Sequence, residues 1–396
     1  MDEEYNAGNN KRLWLLFATY FGICFYLFLC LLNLFSQRPL WLDEKFIFDN
    51  LKELPPAQLF GPLKHSQAFP RLYLFLIQKL AFIFDFNLIS LRILPFLFMI
   101  GAFFVWLKIF AKSEGKGLAY FLFILAWCGS YPLTYYSAEL KQYSADILVA
   151  AVFTYFILSQ RKYLKEKNAN LFVALKYLFI PALILFSYTG FFFILIPAYN
   201  LLLSLKRNKN SISYLVIYVS SALLFFFISY NFDVKYVLSE SGLRNYWNDY
   251  FISVTTPYEF MKTFTEGLRN LFTRWFLEKK IVIRIITIFS PFAFFGLVIL
   301  GCKKLLQDKG RVLTLFSLGL VLFLSLFTAG ILRMYPFTGA RVTLFIAIFI
   351  FYAIIKSIEI FKKPLFFFYL ILLSIYMITL STTSFYFLVK YLNKIQ

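Results

Sequence analysis

The 396 residues are 61% hydrophobic and 22% aromatic, and a soluble domain of that length could not hide so much Phe and Leu. A net charge of +20 would suggest nucleic acid in a soluble protein. Lys/Arg-rich loops are ordinary in polytopic membrane proteins, so no nucleic-acid partner is inferred.

Residues 1–396 read as one all-α membrane domain with embellished loops, because no segment has the composition of a separate soluble domain. The N-terminus carries acids before Lys11 and Arg12. No small-residue cleavage site follows the first apolar run, so the first helix is expected to be a retained signal anchor. Apolar runs at 13–35, 89–111, 118–136, 142–159, 172–188, 190–205, 212–230, 282–301, 312–330, 341–355 and 364–385 give about eleven spans. The four cysteines, Cys24, Cys30, Cys128 and Cys302, lie in or beside apolar runs without CxxC spacing, so neither disulfides nor a metal site is expected from them.

Directly after the first span comes Pro39-Leu40-Trp41-Leu42-Asp43-Glu44. Two adjacent carboxylates at a membrane boundary cost least when they face water or a polar cavity, which makes Asp43 and Glu44 site candidates. Phe46, Ile47 and Leu51 follow with the spacing of a short interfacial helix, ended by Pro55-Pro56. The bland reading of Asp43 is an N-cap for that helix. His65 reads as a surface histidine, since one histidine cannot make a metal site alone. With Gln67 it is a candidate contributor from the first loop.

The run 70–84 is short for a bilayer and carries Arg71, Gln78 and Lys79. If it does not cross, the basic loops near 112, 162, 206, 304 and 362 share the cytoplasmic side with Lys11 and Arg12. Residues 36–88, 137–141, 189, 231–281 and 331–340 are then external. Residues 70–84 become a helix lying along or dipping into the membrane surface.

Around residue 140, Tyr136, Glu139, Tyr143 and Asp146 are spaced three, four and three apart. On one helix they would form a stripe of two acids and two phenols, with Lys141 beside it. Asp146 falls inside a span, where it should face a polar cavity or a basic partner. The alternative is an ordinary solvated helix end. The loop 231–281 contains Phe260, Phe264, Leu268, Leu271, Phe272, Trp275 and Phe276 with amphipathic helical spacing, suited to packing or to a lid over lipid. Arg333, Tyr335 and Arg341 flank Pro336 and Gly339. With Lys141 they are candidate ligands of a donor phosphate, because a guanidinium fork matches phosphate oxygens. The alternative for both arginines is snorkelling toward headgroups.

External acids with basic residues from distant loops suit transfer from a phosphate-activated donor. An acid deprotonates the incoming hydroxyl. Arg, Lys or a divalent metal stabilises the departing phosphate, and the metal remains undetermined by sequence. No P-loop or Rossmann fingerprint is present, which with an external site points to a donor carried on membrane lipid.

Trp41-Leu42-Asp43-Glu44 resembles the Asp-Glu motif of the GT-C glycosyltransferases, in the branch of family 39 type. That branch is related to the dolichyl-phosphate-mannose protein mannosyltransferases and the lipid A aminoarabinose transferase. The resemblance continues through Gln67-Ala68-Phe69-Pro70-Arg71-Leu72-Tyr73, Leu91-Arg92-Ile93-Leu94-Pro95, residues 135–144 and Tyr335-Pro336-Phe337-Thr338-Gly339-Ala340-Arg341. It implies a GT-C bundle with juxtamembrane helices in the first external loop. It also implies a polyprenyl-phosphate-linked sugar donor and inversion at the anomeric carbon, with Asp43 as catalytic base and Glu44 beside it. Arg71 stands where many relatives repeat proline and inherits no role. No large C-terminal soluble domain of the kind some relatives use is visible, so the acceptor (glycan, lipid or protein) stays open. A transporter or flippase of lipid-linked sugars is the other functional class, and a non-catalytic scaffold is a third. The external loops lack an Asn-x-Ser/Thr sequon, which leans toward a bacterial inner membrane.

Overall fold

The computed structural model describes residues 2–115, 117–163, 170–205, 208–273, 314–337, 341–346 and 348–350, with 299, 352 and 355 as single positions. Every regular element among these residues is helical. In chain order they are α1 (Asp2–Phe35), α2 (Leu42–Glu53), α3 (Arg71–Ile83), α4 (Leu88–Glu114), α5 (Leu118–Gly129), α6 (Tyr131–Tyr135) and α7 (Tyr143–Tyr163). Then follow α8 (Leu171–Phe179), α9 (Gly190–Phe193), α10 (Leu195–Ser204), α11 (Asn210–Ser229), α12 (Lys235–Ser239), α13 (Ser241–Tyr246), α14 (Pro257–Thr273) and α15 (Leu315–Ile331).

Four stretches are long and apolar enough to cross a membrane: Leu13–Phe35, Leu88–Glu114, Tyr143–Gln160 and Asn210–Ser239. A fifth is the bent pair Leu118–Gly129 and Tyr131–Ala138, which turns by 65°. Pro132, at the start of α6, has no N–H to continue the hydrogen-bond ladder of α5, which explains the break. The runs expected at 172–188 and 190–205 form shorter helices, Leu171–Leu185, which tightens to a 3-10 turn at Pro181, and Gly190–Ser204, which breaks at Ile194, where Pro197 has no N–H for the Phe193 carbonyl. The runs expected at 282–301 and 364–385 fall outside the described residues apart from position 299, and 341–355 is described only in part.

The centre of the bundle is aromatic. Trp106, Trp127, Phe103, Phe110, Phe123 and Tyr26 are fully buried between α1, α4 and α5. The outer surface stays apolar, with Leu13, Trp14 and Phe17 on α1 and Leu223 and Phe227 on α11 exposed. An apolar core inside an apolar exterior is what lipid, not water, tolerates. The protein is therefore a helical, membrane-embedded one.

Residues 36–88 build a compact layer over the N-terminal end of α4. Ile47, Leu51, Leu59, Phe69, Tyr73, Leu74 and Ile77 form its core together with Leu91 and Leu140. The apolar face expected from Ile47 and Leu51 is thus buried, and α2 ends just before Pro55. Gln78 donates to the carbonyls of Leu51 and Leu54, both at 2.8 Å, locking α3 onto the end of α2. With 13 residues α3 is about 20 Å long, short of the ~30 Å hydrocarbon layer.

Four segments far apart in sequence meet over one end of the bundle. Ser66 reaches Glu240, Leu140 reaches Glu44, and Arg341 reaches Asp43. Phe337 N–H donates to the Tyr250 carbonyl at 2.9 Å, and Ile252 N–H to the Gly330 carbonyl at 3.2 Å. The described part of the amphipathic segment, α14, turns Phe260 and Phe264 onto Phe327, and Phe264 also meets Phe337. It packs against the bundle rather than lying free, while Trp275 and Phe276 fall outside the described residues.

Gly330 allows the turn that leads to Arg341. A Cβ there would lie 2.8 Å from the Phe337 Cβ, a buried atom close to the backbone. Gly330→Ala should cost about 1–3 kcal/mol of overpacking. It should lower the thermal midpoint of the detergent-purified protein by several degrees, and an unchanged midpoint would show that the turn has room to relax.

Candidate active site

Helix α2 begins without the usual cap. Trp41 occupies the N-cap position and cannot accept a hydrogen bond, so Glu44 reaches back to the Trp41 N–H at 3.2 Å. The other Glu44 oxygen accepts the Leu140 N–H at 2.8 Å. Glu44 is fully buried, and both its oxygens are taken by backbone. The expectation that Asp43 might cap α2 is corrected: Glu44 fills that role and leaves Asp43 available.

Asp43 lies in the first turn of α2, where the helix dipole favours a negative charge. Its side chain is 28% exposed and its Oδ2 accepts from Arg341 Nη1 at 2.8 Å. The guanidinium also lies over the Trp41 ring, 4.8 Å from its centroid, and its Nη2 donates to the Tyr246 hydroxyl at 3.4 Å. An acid and a cation separated by 298 positions are thereby held as a charge-assisted, half-exposed pair.

The stripe expected on one helix across 136–146 does not form as such. Residues 136–138 make a single tight turn, Glu139 is extended, and α7 starts only at Tyr143. The pull of Glu44 on the Leu140 N–H explains why the backbone leaves the helix here. The rings of Tyr136 and Tyr143 still meet, 4.8 Å apart. Glu139 is fully buried and accepts from the Trp41 indole at 3.2 Å, while its Oε2 has no partner among the described residues. Burial and the adjacent Glu44 charge push the Glu139 carboxyl up to about 8, against the lowering pull of Arg38 and Arg341. Lys141 is also buried and donates to Gln67 at 2.8 Å. Burial pushes its ammonium down to about 8, despite the opposing charges of Asp43 and Glu139.

Asp146 is buried on the first turn of α7 in polar surroundings and accepts from the Ser187 hydroxyl, which also pairs with Thr189, while no base joins it among the described residues. Three other expected contributors are less central. Arg333 is exposed, and no hydrogen bond or ion pair among the described residues joins it to Asp43 or Lys141. The Tyr335 hydroxyl donates to the Val342 carbonyl at 2.8 Å and so braces the turn before Arg341. His65 stacks on Phe46 and sits 3.8 Å from Asp49, whereas its neighbour Gln67 does join the site through Lys141.

Several residues beneath the site carried no assigned role in the sequence. Asn33 donates to the carbonyls of Thr134 and Tyr135, and Arg38 to that of Ala138. Arg38 also lies 3.9 Å from the Tyr135 ring centroid, and Arg92 donates to the Arg38 carbonyl. Together they hold the 134–140 backbone under Trp41. An Arg inside an apolar run was the available signal for Arg92. A second buried pair joins Arg71 to Asp233 at 3.6 Å, with the Tyr188 hydroxyl donating to Asp233 at 2.7 Å. A π-helical turn at Tyr230–Val234 places Asp233 at this pair.

Among the described residues no three His, Cys, Asp or Glu side chains gather as a metal-ligand set. Comparisons with protein-family models, curated proteins and solved structures return no match for this chain.

Between pH 4.5 and about 8 the folded protein keeps a proton on Glu139 that the unfolded chain has released. Its contribution to stability therefore falls as pH rises through that window. Lys141 stays protonated in both states until the top of that window, where loss of its proton in the folded state opposes the Glu139 slope. The thermal midpoint of the wild type should decline more steeply from pH 5 to 8 than that of Glu139→Gln. Parallel profiles would mean that Glu139 is ionised throughout.

Proposed function

We propose that the protein is an inverting glycosyltransferase that moves a sugar from a polyprenyl-phosphate donor to a hydroxyl acceptor, with Asp43 as general base. The observation that carries this reading is the half-exposed Asp43–Arg341 pair beside buried Lys141, at one end of an apolar bundle. The membrane supplies the partner, since a polyprenyl chain can lie against the apolar flank while its phosphate reaches the basic side chains.

The reaction is a single displacement. The acceptor hydroxyl attacks the anomeric carbon, and its proton passes to Asp43. The bond from that carbon to the phosphate oxygen breaks, and polyprenyl phosphate leaves. Arg341 and Lys141 carry the positive charge that the departing phosphate needs. Glu44 and Glu139 do not touch the reacting atoms in this scheme. Glu44 fixes the turn that presents Asp43, and Glu139 holds the Trp41 indole. The proposal includes the full bundle of about eleven spans in a bacterial inner membrane, with a cytoplasmic N-terminus and the site on the external face.

The buried charges within candidate spans favour this reading over transport. Arg92, Asp146 and Asp233 lie within about two turns of the span ends nearest the site, not along a midplane path.

Asp43→Asn should reduce transfer from a radiolabelled polyprenyl-phosphate sugar by about 10²–10⁴-fold while the protein stays folded and inserted. Arg341→Lys should retain more activity than Arg341→Ala, because charge survives but the planar fork is lost. Full activity in Asp43→Asn would remove the base assignment.

A further inference from the structure

The end of α13 and the turn after it read Asn245-Tyr246-Trp247-Asn248-Asp249-Tyr250, three aromatic and three planar polar residues in six positions. Contacts before and after it tie it to two other segments of the chain. Glu240 accepts from the Ser66 hydroxyl at 2.9 Å, joining the segment to the first loop. The Tyr250 carbonyl and the Ile252 N–H bind Phe337 and Gly330, joining it to the turn that carries Arg341. Between these anchors Tyr246 meets the Arg341 guanidinium, on the nitrogen that Asp43 does not use. The segment is a strap drawn across the acid–base pair.

Its surface has a specific chemistry. Tyr246 is 57% exposed, and Asn245, Asn248 and Asp249 are exposed around it. Trp247 stands edge-on to both Tyr246 and Tyr250, with centroids 5.2 and 5.0 Å away. Aromatic faces cover the C–H face of a pyranose. Amide and carboxylate groups pair with adjacent hydroxyls, donating and accepting in one plane. A Tyr or Trp that only anchors the chain at a lipid interface would sit at the outer margin. Here the Tyr246 hydroxyl reaches inward to the partner of Asp43.

We propose that residues 245–250 form the acceptor platform and that the acceptor is a saccharide, whose hydroxyl the strap delivers to Asp43. This rests on the glycosyl-transfer reading for its role, though not for the binding itself.

The test uses the full chain in lipid nanodiscs on an array of defined oligosaccharides, with peptide spots as controls. Anionic phospholipid vesicles are assayed in parallel. The wild type should bind a subset of the oligosaccharides. Tyr246→Ala with Trp247→Ala should weaken that binding by about tenfold or more. Asn248→Ala removes an exposed amide without disturbing packing and should lose about three- to tenfold. It decides the matter alone if the double variant misfolds. Unchanged saccharide binding in Asn248→Ala and the double variant overturns the proposal. So does a wild type that binds peptides or vesicles but no saccharide. Saccharide binding together with full activity of Asp43→Asn would sink the base assignment and leave the platform standing.

Discussion

The Glu44 carboxylate ties together two backbone segments that lie 96 positions apart. One oxygen caps α2 at Trp41 and the other takes the Leu140 N–H. Buried N–H groups left unpaired are costly, so this one side chain sets both the start of α2 and the end of the turn at 136–138. Asp43 is then fixed on the first turn of α2, and Glu139 and Lys141 are fixed on either side of Leu140. Asn33, Arg38 and Arg92 hold the same backbone from below. The site is a consequence of that bridge more than of any single helix.

The division of labour between two adjacent acids follows from it. A fully buried carboxylate with each oxygen held by a backbone N–H is a poor base for a substrate, because no incoming hydroxyl can reach it. Asp43 has one oxygen on a guanidinium and remains partly exposed, so it can meet a substrate. Arg341 is shared between Asp43, the Trp41 ring and Tyr246, which keeps its fork at the mouth of the site. A phosphate arriving there would meet donors already oriented, with little reorganisation.

Part of this was legible in the sequence. The short helix after Trp41 followed from Ile47, Leu51 and Pro55, and the acidic pair stood out against an apolar background. The spacing of the basic loops put 36–88, 137–141, 189, 231–281 and 331–340 on one side of the membrane, and the structure joins 36–88 to Leu140, to Glu240 and to Arg341 at one end of the bundle. The break at Glu139 was not legible, because the groups that cause it, Glu44 and Trp41, lie about a hundred residues upstream. Spacing alone suggested a helix there. The Arg71–Asp233 pair was equally hidden, since neither residue has a local partner that would mark it. Apolar content also overstated the helices at 172–188 and 190–205, which tighten at Pro181 and break at Ile194 although composition alone reads them as continuous.

The central claim is that Asp43 and Arg341 serve one reaction centre, with Arg341 taking the lipid-borne phosphate and Asp43 the acceptor hydroxyl. An experimental structure of the full chain with bound polyprenyl phosphate tests it most directly. The account predicts the phosphate oxygens within hydrogen-bonding distance of Arg341 and Lys141, with the Asp43 carboxylate turned toward the open side. A phosphate bound elsewhere on the bundle, with the Asp43–Arg341 pair closed and untouched, would contradict it.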